Sequence, residues 1–228
     1  MSTLTMAEQA KISAFLDTHP LVRGVGTEEA ACSVAAMNLA LHGGLTDDTP
    51  ACMSEVIGAW MRCTQDAMSE SILHSAAWRD LLPRAAGTGR AHESARLAIV
   101  LDWMWECLTE VQPVADVGGY GEAWRTMCER RTRAAADTVL SATAYATANA
   151  AAANAAYATA AGDAAYATAA YAARSVTNAA RVAYAADDAA YATANAARVA
   201  YAAYVDFWRR ADPVRLLARL IAVGEVTP

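Results

Sequence analysis

A long stretch rich in alanine, from about residue 122 to residue 212, constrains the fold of this chain more than any other feature. The motif "NAARVAYAA" occurs twice within it, at residues 178–186 and 195–203. Alanine has the highest helix propensity and loses no side-chain entropy in a helix, so the stretch predicts long helices. Gly162-Asp163 is the one obvious interruption, since Gly can end a helix and Asp can cap the next. We therefore expect a helical hairpin with arms of about 40 residues, each about 60 Å long.

The polar residues of the second arm predict an interaction face. At about 100° per residue, three tyrosines and most of the charged residues between 163 and 210 fall in one sector of a continuous helix. The other side is mainly alanine, which permits close approach to a neighbouring helix. Because alanine burial stabilises weakly, we also expect a homo-oligomer formed through these helices. The predicted interaction face consists of Tyr166, Arg174, Arg181, Tyr184, Asp188, Tyr191, Asn195 and Arg198.

The rest of the chain also has helical patterns, and no run of alternating β-branched residues indicates a strand. The sequence therefore predicts an all-α protein. Residues 1–119 are expected to form a helical bundle, residues 120–211 the alanine-rich hairpin, and residues 212–228 a helix that packs back on the bundle. The other predicted helices are Met6 to Leu16, a helix from an N-cap at Thr27 to Leu41, a helix starting at Thr49-Pro50, Met68 to Leu82, and residues 91–111.

Charge and cysteine content limit the classes of partner. The net charge of −6 argues against electrostatic binding of nucleic acid, which needs clustered cations. The five cysteines form no CxxC pair, and no signal-peptide pattern opens the sequence, so we expect a cytoplasmic protein. Polar residues divide the alanine-rich stretch, so no membrane span is expected.

A second candidate site lies in "LLPRAAGTGRAHESARL", where a glycine-containing loop leads into a helix. Loop amides, a helix N-terminus and arginines together suit an anion such as a nucleotide. A loop followed by a solvated helix start is the alternative interpretation, because the stretch is neither a Walker A loop nor a Rossmann fingerprint. The candidate ligand-binding residues are Arg84, Thr88, Arg90, His92 and Arg96.

No pattern assigns a catalytic residue, a metal site or a cofactor. The four histidines have no ligand spacing, and neither a G-x-S-x-G motif nor a kinase signature is present. Ice binding would need a line of threonines on one helix face. Thr168 and Thr193 are roughly aligned, but Thr177 falls on the opposite side, so that line fails.

The segments "LLPRAAGTGR" and "LDWMW", followed by an alanine-rich tail with regularly placed Arg, Asp and Tyr, carry a resemblance. The chain resembles uncharacterised alanine-rich helical proteins of bacteria and their phages, and the tail is similar in style to immunity-like proteins of polymorphic toxin systems. The resemblance implies no catalytic residues. Because the sequence shows no catalytic constellation and one helix face is polar and rich in tyrosine, we expect a non-enzymatic helical interaction protein that neutralises a toxin or host defence component by binding it. The alternative is a protein that sequesters or hydrolyses an anionic small molecule, such as a nucleotide signal.

Overall fold

The chain folds into helices, as a computed structural model of residues 4–149, 155–178, 181–202 and 207–224 shows. Within these ranges no β-strand forms, and the only β-type pairings are isolated bridges that join Ala31 to Leu21 and Gly26. The predicted all-α class is confirmed. Residues 150–154, 179–180 and 203–206, which belong to the predicted hairpin and its motif, lie outside the described residues.

The chain divides into two compact units. Unit 1 comprises residues 1–99 and 212–228, and unit 2 comprises residues 100–211, so the division falls within a helix and not at residue 119. Helices of unit 1 are α1 Met6–Thr18, α2 Ser33–His42, α3 Glu55–Ala67, α4 Glu70–Leu73, α5 Ala76–Arg79, α6 Leu82–Ala86, the start of α7 Glu93–Thr109, and α14 Pro213–Ala222. Helices of unit 2 are the rest of α7, α8 Gln112–Val117, α9 Gly121–Arg130, α10 Arg133–Asn149, α11 Ala155–Thr177, α12 Val182–Ala202 and α13 Phe207–Ala211.

Two predicted helix starts in unit 1 are wrong. The Thr27 hydroxyl forms a local turn with Glu29 instead of capping a helix, and α2 begins at Ser33 after an N-cap at Cys32. Helix α3 begins at Glu55, and its N-cap is Ser54 rather than Thr49. Thr27 makes a competing local hydrogen bond, as serine and threonine side chains readily do in turns. Thr49 is replaced as the N-cap by Ser54, which lies next to the first residue of the helix.

The predicted helix over residues 68–82 is also wrong, because this region consists of short helices. Ser69 and Ser75 each stand at the start of a new helix, and the Ser75 hydroxyl accepts a hydrogen bond from the backbone N–H of Trp78. The break turns the fully buried Trp78 ring toward Trp60, with ring centroids 6.1 Å apart. Large apolar side chains therefore fill the core of unit 1.

In unit 2, the predicted apolar stripe of α7 is largely buried. Val100, Met104 and Leu108 are fully buried, whereas Leu101 is only partly buried. Trp103 and Trp105 are both buried although they point to different sides of α7. The Trp124 indole on α9 donates a hydrogen bond to the carbonyl oxygen of Leu108 at 2.9 Å. These contacts form the part of the unit 2 core that is built from large side chains.

The alanine-rich region forms shorter helices than the predicted arms. Helix α11 continues through Gly162-Asp163, where an interruption was predicted, and the chain turns instead at Asn178. Side-chain contacts pair Arg174 with Asp188, so residues 14 positions apart meet across the turn. Helices α11 and α12 therefore pack as an antiparallel pair, and α10 packs against α11.

Alanine side chains form the packed sides of α11 and α12. Ala165, Ala169, Ala185, Ala189 and Ala192 are fully buried within the single chain. Homo-oligomerisation through the alanine-rich helices stays a prediction, but these faces are already covered.

Buried hydroxyls in the same helices bond to their own backbone. Thr168 and Thr193 are fully buried, and each donates to the carbonyl oxygen four residues earlier. The two threonines that come nearest to an ice-binding line are therefore not on the surface.

Candidate functional site

The first candidate site is the exposed edge of the antiparallel pair α11–α12. Three of its tyrosines keep large exposed fractions, which are 48% for Tyr166, 58% for Tyr184 and 41% for Tyr191. Single exposed aromatics are ordinary on a protein surface, but a cluster on one rigid helix pair is typical of interaction sites. We call the following six exposed residues the tyrosine–arginine surface: Tyr166, Arg174, Arg181, Tyr184, Tyr191 and Arg198.

Two members of the predicted interaction face are buried instead. Asp188 is 3% exposed, and its carboxylate accepts a hydrogen bond from the Asn178 side chain at 2.8 Å and forms an ion pair with Arg174, whose Nε lies 3.1 Å away. Asn195 is 7% exposed and donates to the carbonyl oxygen of Tyr191. Helix periodicity had grouped both residues with the exposed tyrosines. In the structure, the neighbouring helix covers Asp188 and Asn195. Asp188 therefore fixes the turn between α11 and α12.

Contacts between side chains hold the tyrosine–arginine surface in place. The Arg181 guanidinium lies over the Tyr184 ring, 3.9 Å from its centroid. The rings of Tyr171 and Tyr191 stack across the two helices, with centroids 5.0 Å apart, and Arg174 lies 5.1 Å from the Tyr171 centroid. Because these groups are already ordered, a partner would pay little conformational entropy to bind them.

The second candidate site is built around Arg96, which the structure shows to be a buried structural residue. Arg96 is 1% exposed, and each of its five N–H donors has a backbone carbonyl acceptor. The pKa of Arg96 is lowered, because the effect of burial is larger than the opposing effect of the nearby Glu93 carboxylate. The acceptors, at 2.6–3.2 Å, are the carbonyl oxygens of Thr88, Gly89, Ala91, Leu220 and Val223.

Thr88 and Arg90 are engaged in structural contacts as well. The Thr88 hydroxyl donates to the carbonyl oxygen of Ala85 and accepts from the backbone N–H of Ser54. Arg90 forms an ion pair with Glu55, the first residue of α3. The loop of residues 87–92 therefore joins the start of α3 to the C-terminal segment, and three of the five candidate ligand-binding residues serve this purpose.

Glu93, the first residue of α7, makes structural contacts beside this loop that the sequence interpretation missed. One carboxylate oxygen accepts from the Ser54 hydroxyl at 2.9 Å and from the backbone N–H of Val56 at 3.0 Å. The other oxygen is buried and lies 3.8 Å from Arg96. A carboxylate thus occupies the N-terminus of α3, where an anionic ligand would otherwise be favoured. The "HES" sequence alone gave no sign of this distant contact.

Arg84 and His92 remain the candidate residues that border open space. They line a shallow depression of about 360 Å³ in unit 1, together with Gln9 of α1 and the segment around Gly224. His92 has a left-handed backbone conformation with φ 63°, and its ring lies directly against Gly224. The depression could hold a small anion, but Arg96 has no donor left for it.

The part of the chain that the structure describes contains neither a group of metal ligands nor a membrane-spanning helix. No three His, Cys, Asp or Glu side chains there come together as metal ligands. None of the described helices combines the length and the apolar character that a membrane crossing requires.

Four of the five cysteine thiols are poorly suited to act as nucleophiles. No disulfide joins the cysteines, and burial raises the pKa of Cys32, Cys52, Cys107 and Cys128. A thiol with a raised pKa is a poor nucleophile, because the thiolate is the reactive form.

Comparisons with known proteins do not assign this chain to a family. No protein-family model, no curated protein and no solved structure matches it. The two surfaces described above are therefore the basis for any functional conclusion.

Proposed function

We propose that this protein is a non-enzymatic helical interaction protein that binds a protein partner through the tyrosine–arginine surface. The observation that carries the proposal is the exposure of Tyr166, Tyr184 and Tyr191 on a helix pair that packs through buried alanines. Interface hot spots are enriched in Tyr, Trp and Arg, whose large side chains exclude water over a wide area. Six such residues stand on one surface here.

Pre-organisation supports the same proposal. Tyr191 stacks on Tyr171, and Arg181 stacks on Tyr184, so these side chains are ordered before a partner arrives. Rigid aromatic anchors bind at low entropic cost. The close alanine packing beneath them gives the surface a firm support.

The proposed biological role is neutralisation. A rigid helical surface can inactivate a toxin or a host defence component by covering the part of it that acts, without any chemistry of its own. The resemblance of the alanine-rich tail to immunity-like proteins favours this role.

The experiment is affinity capture from a lysate with wild-type protein and two triple variants. In the test variant, Y184A, Y191A and R181A remove the centre of the surface. In the control variant, M6A, V117A and R133A remove residues of similar size that are exposed elsewhere. We expect the test variant to lose the captured partner and the control variant to keep it, with both proteins equally helical by circular dichroism. Equal capture by the wild-type protein and the test variant would exclude this surface.

A second candidate function is the binding of an anionic small molecule in the depression beside Arg84 and His92. The observation in its favour is the open volume beside two groups that can carry positive charge. A thermal-shift screen with nucleotides tests it, because a bound ligand raises the midpoint by mass action. The R84A variant should abolish any shift. If the unfolding midpoint does not shift with nucleotides at about millimolar concentration, nucleotides that bind with a Kd well below about 1 mM are excluded as ligands.

A further inference from the structure

We infer that the partner of the tyrosine–arginine surface is an acidic protein segment, most simply a helix with carboxylates along one side. This inference rests on the proposed function and specifies the chemistry of the partner. Three arginines lie on the surface, whereas the aspartates beside them, among the side chains that the structure describes, are Asp187 and the buried Asp188. The patch is therefore locally positive within a chain of net charge −6.

The geometry of Arg181 favours a carboxylate. The central carbon of its guanidinium lies over the Tyr184 ring, 3.9 Å from the centroid, so the ring covers one side of the group. The N–H donors of a guanidinium lie in its plane and point away from its edges. Stacking thus leaves the edges available for a bidentate bond with a carboxylate, which is the geometry that arginine recognises best.

Arg174 and Arg198 also keep donors for a partner. Arg174 forms an ion pair with Asp188 through Nε, and Arg198 donates one terminal N–H to Asn195, among the contacts that the described residues make. A guanidinium has five N–H donors, so each contact orients the group and uses only part of it. The Arg174 side chain is 62% exposed, which leaves its outer edge in solvent.

The spacing of the arginines suits a helix. Arg174 lies level with Asp188 on the neighbouring helix. At about 1.5 Å per residue, the distance along the pair is therefore about 10 Å from Arg181 to Arg174 and about 15 Å from Arg174 to Arg198. Carboxylates seven and then about eleven residues apart lie on one side of a helix at nearly these intervals. Tyrosines stand between the arginines, where apolar side chains of such a helix would pack.

A nucleic acid fits the same observations less well. Its phosphates are evenly charged along the strand, and typical complexes neutralise about six to ten of them. Only three arginines lie on this surface, and the rest of the chain is acidic. A short acidic segment meets three arginines without bringing a long run of further negative charge.

The test uses fluorescence anisotropy with three labelled probes. The first is a helical peptide of about 20 residues with three glutamates on one side, seven and then eleven positions apart, and leucines between them. The second replaces the glutamates with glutamines, and the third is single-stranded oligo-dT of about 20 nucleotides. We expect saturable binding of the acidic peptide that weakens with salt and is at least about fivefold tighter than that of either other probe. A smaller preference, or no saturable binding at about millimolar protein, overturns the inference.

Charge variants locate the binding. R181Q combined with R198Q should weaken binding of the acidic peptide at least about fivefold, whereas R133Q, at an exposed arginine of α10, should not. Equal effects of the two changes would overturn the inference. Should the captured partner depend on Tyr184 and Tyr191 while the acidic peptide fails to bind, only the acidic chemistry is excluded. If the partner is captured equally well without Tyr184 and Tyr191, the proposed function itself is excluded.

Discussion

Unit 1 and the α11–α12 pair of unit 2 reach the same helical class with different side chains. Unit 1 fills its core with bulky residues such as Trp60, Trp78 and Met37, all fully buried. The α11–α12 pair brings helices together on alanines, among which Ala165 and Ala189 are fully buried. Bulky cores are sensitive to loss of volume, and alanine interfaces are sensitive to gain of volume.

Buried polar groups differ between the two regions in the same way. In unit 1 they join distant segments, as Gln65 does by accepting from the Ser33 backbone N–H and donating to the carbonyl oxygen of Val22. In α11 and α12, Thr168 and Thr193 bond within their own helix. Polar contacts therefore fix the register of the helices in unit 1. In the helix pair, the close fit of alanine side chains fixes the register instead. Asp188 is the one buried charge among the described residues of α11 and α12.

The largest expected effect is the loss of the Arg96 guanidinium. R96M keeps most of the side-chain volume but leaves five carbonyl oxygens without this donor and the Glu93 carboxylate without its nearby positive charge. We expect a loss of about 3–5 kcal/mol in the free energy of unfolding, measured by urea denaturation. R90M is the control, because its ion pair with Glu55 is partly exposed and should contribute less than about 1 kcal/mol. Equal losses would mean that Arg96 does not hold unit 1 together.

The next effect tests the close fit of the alanine pair. A189L adds volume at a fully buried position of α12 and should cost about 1–3 kcal/mol. A170L makes the same change at a partly exposed position of α11 and should change stability by no more than about 0.5 kcal/mol. Urea denaturation of both variants gives the comparison. A tolerated A189L would show that the helices separate easily and that fit does not define their register.

Asp188 tests a buried charged contact within this pair. D188A removes the ion-pair partner of Arg174 and the acceptor of Asn178, both of which can turn to solvent, so we expect a loss of about 1–2 kcal/mol in the free energy of unfolding. D187A, at the neighbouring and more exposed aspartate, is the matched comparison. If both variants lose the same free energy, the buried contact contributes no more than the contacts of Asp187 do.

The smallest effect concerns alkaline pH and the thiol of Cys128 in unit 2. Burial raises its pKa from about 9 to about 11, so the unfolded chain releases this proton at lower pH than the folded chain does. Stability is therefore fully present below pH 9 and declines as the pH rises toward 11, with a loss just under about 1 kcal/mol at pH 9.5. C128A should flatten the dependence of urea midpoints on pH in this range. An unchanged slope would exclude Cys128 as its source.

The sequence predicted those features that depend on neighbouring residues. Alanine propensity indicated helices throughout the second half, and Asp212-Pro213 indicated the start of α14, where the Asp212 side chain caps the Arg215 backbone N–H. Gly162 misled the prediction, because one glycine costs a helix only about 1 kcal/mol and packing easily offsets that. The turn at Asn178 depends on Asp188, which lies beyond the reach of local patterns.

The candidate ligand site shows the same limit. An arginine near a glycine loop suits an anion, but Arg96 finds its acceptors at Leu220 and Val223, more than 120 positions later in the chain. No local pattern could show this. The predicted interaction face assumed a single helix, whereas the turn at Asn178 places Tyr166 on α11 and Tyr184 and Tyr191 on α12. Periodicity could not show how two helices combine, and the burial of Asp188 and Asn195 also depends on the packing of α11 against α12.

The contacts of Arg96 also set an order of events during synthesis. Unit 1 is discontinuous in the chain, and the carbonyl acceptors at Leu220 and Val223 emerge from the ribosome only after all of unit 2 has been made. Until then the Arg96 guanidinium lacks two of its partners, and α14 is missing from the unit. The first part of the chain to be translated is thus among the last to be completed, and a nascent chain halted within unit 2 would leave unit 1 open to chaperones and proteases.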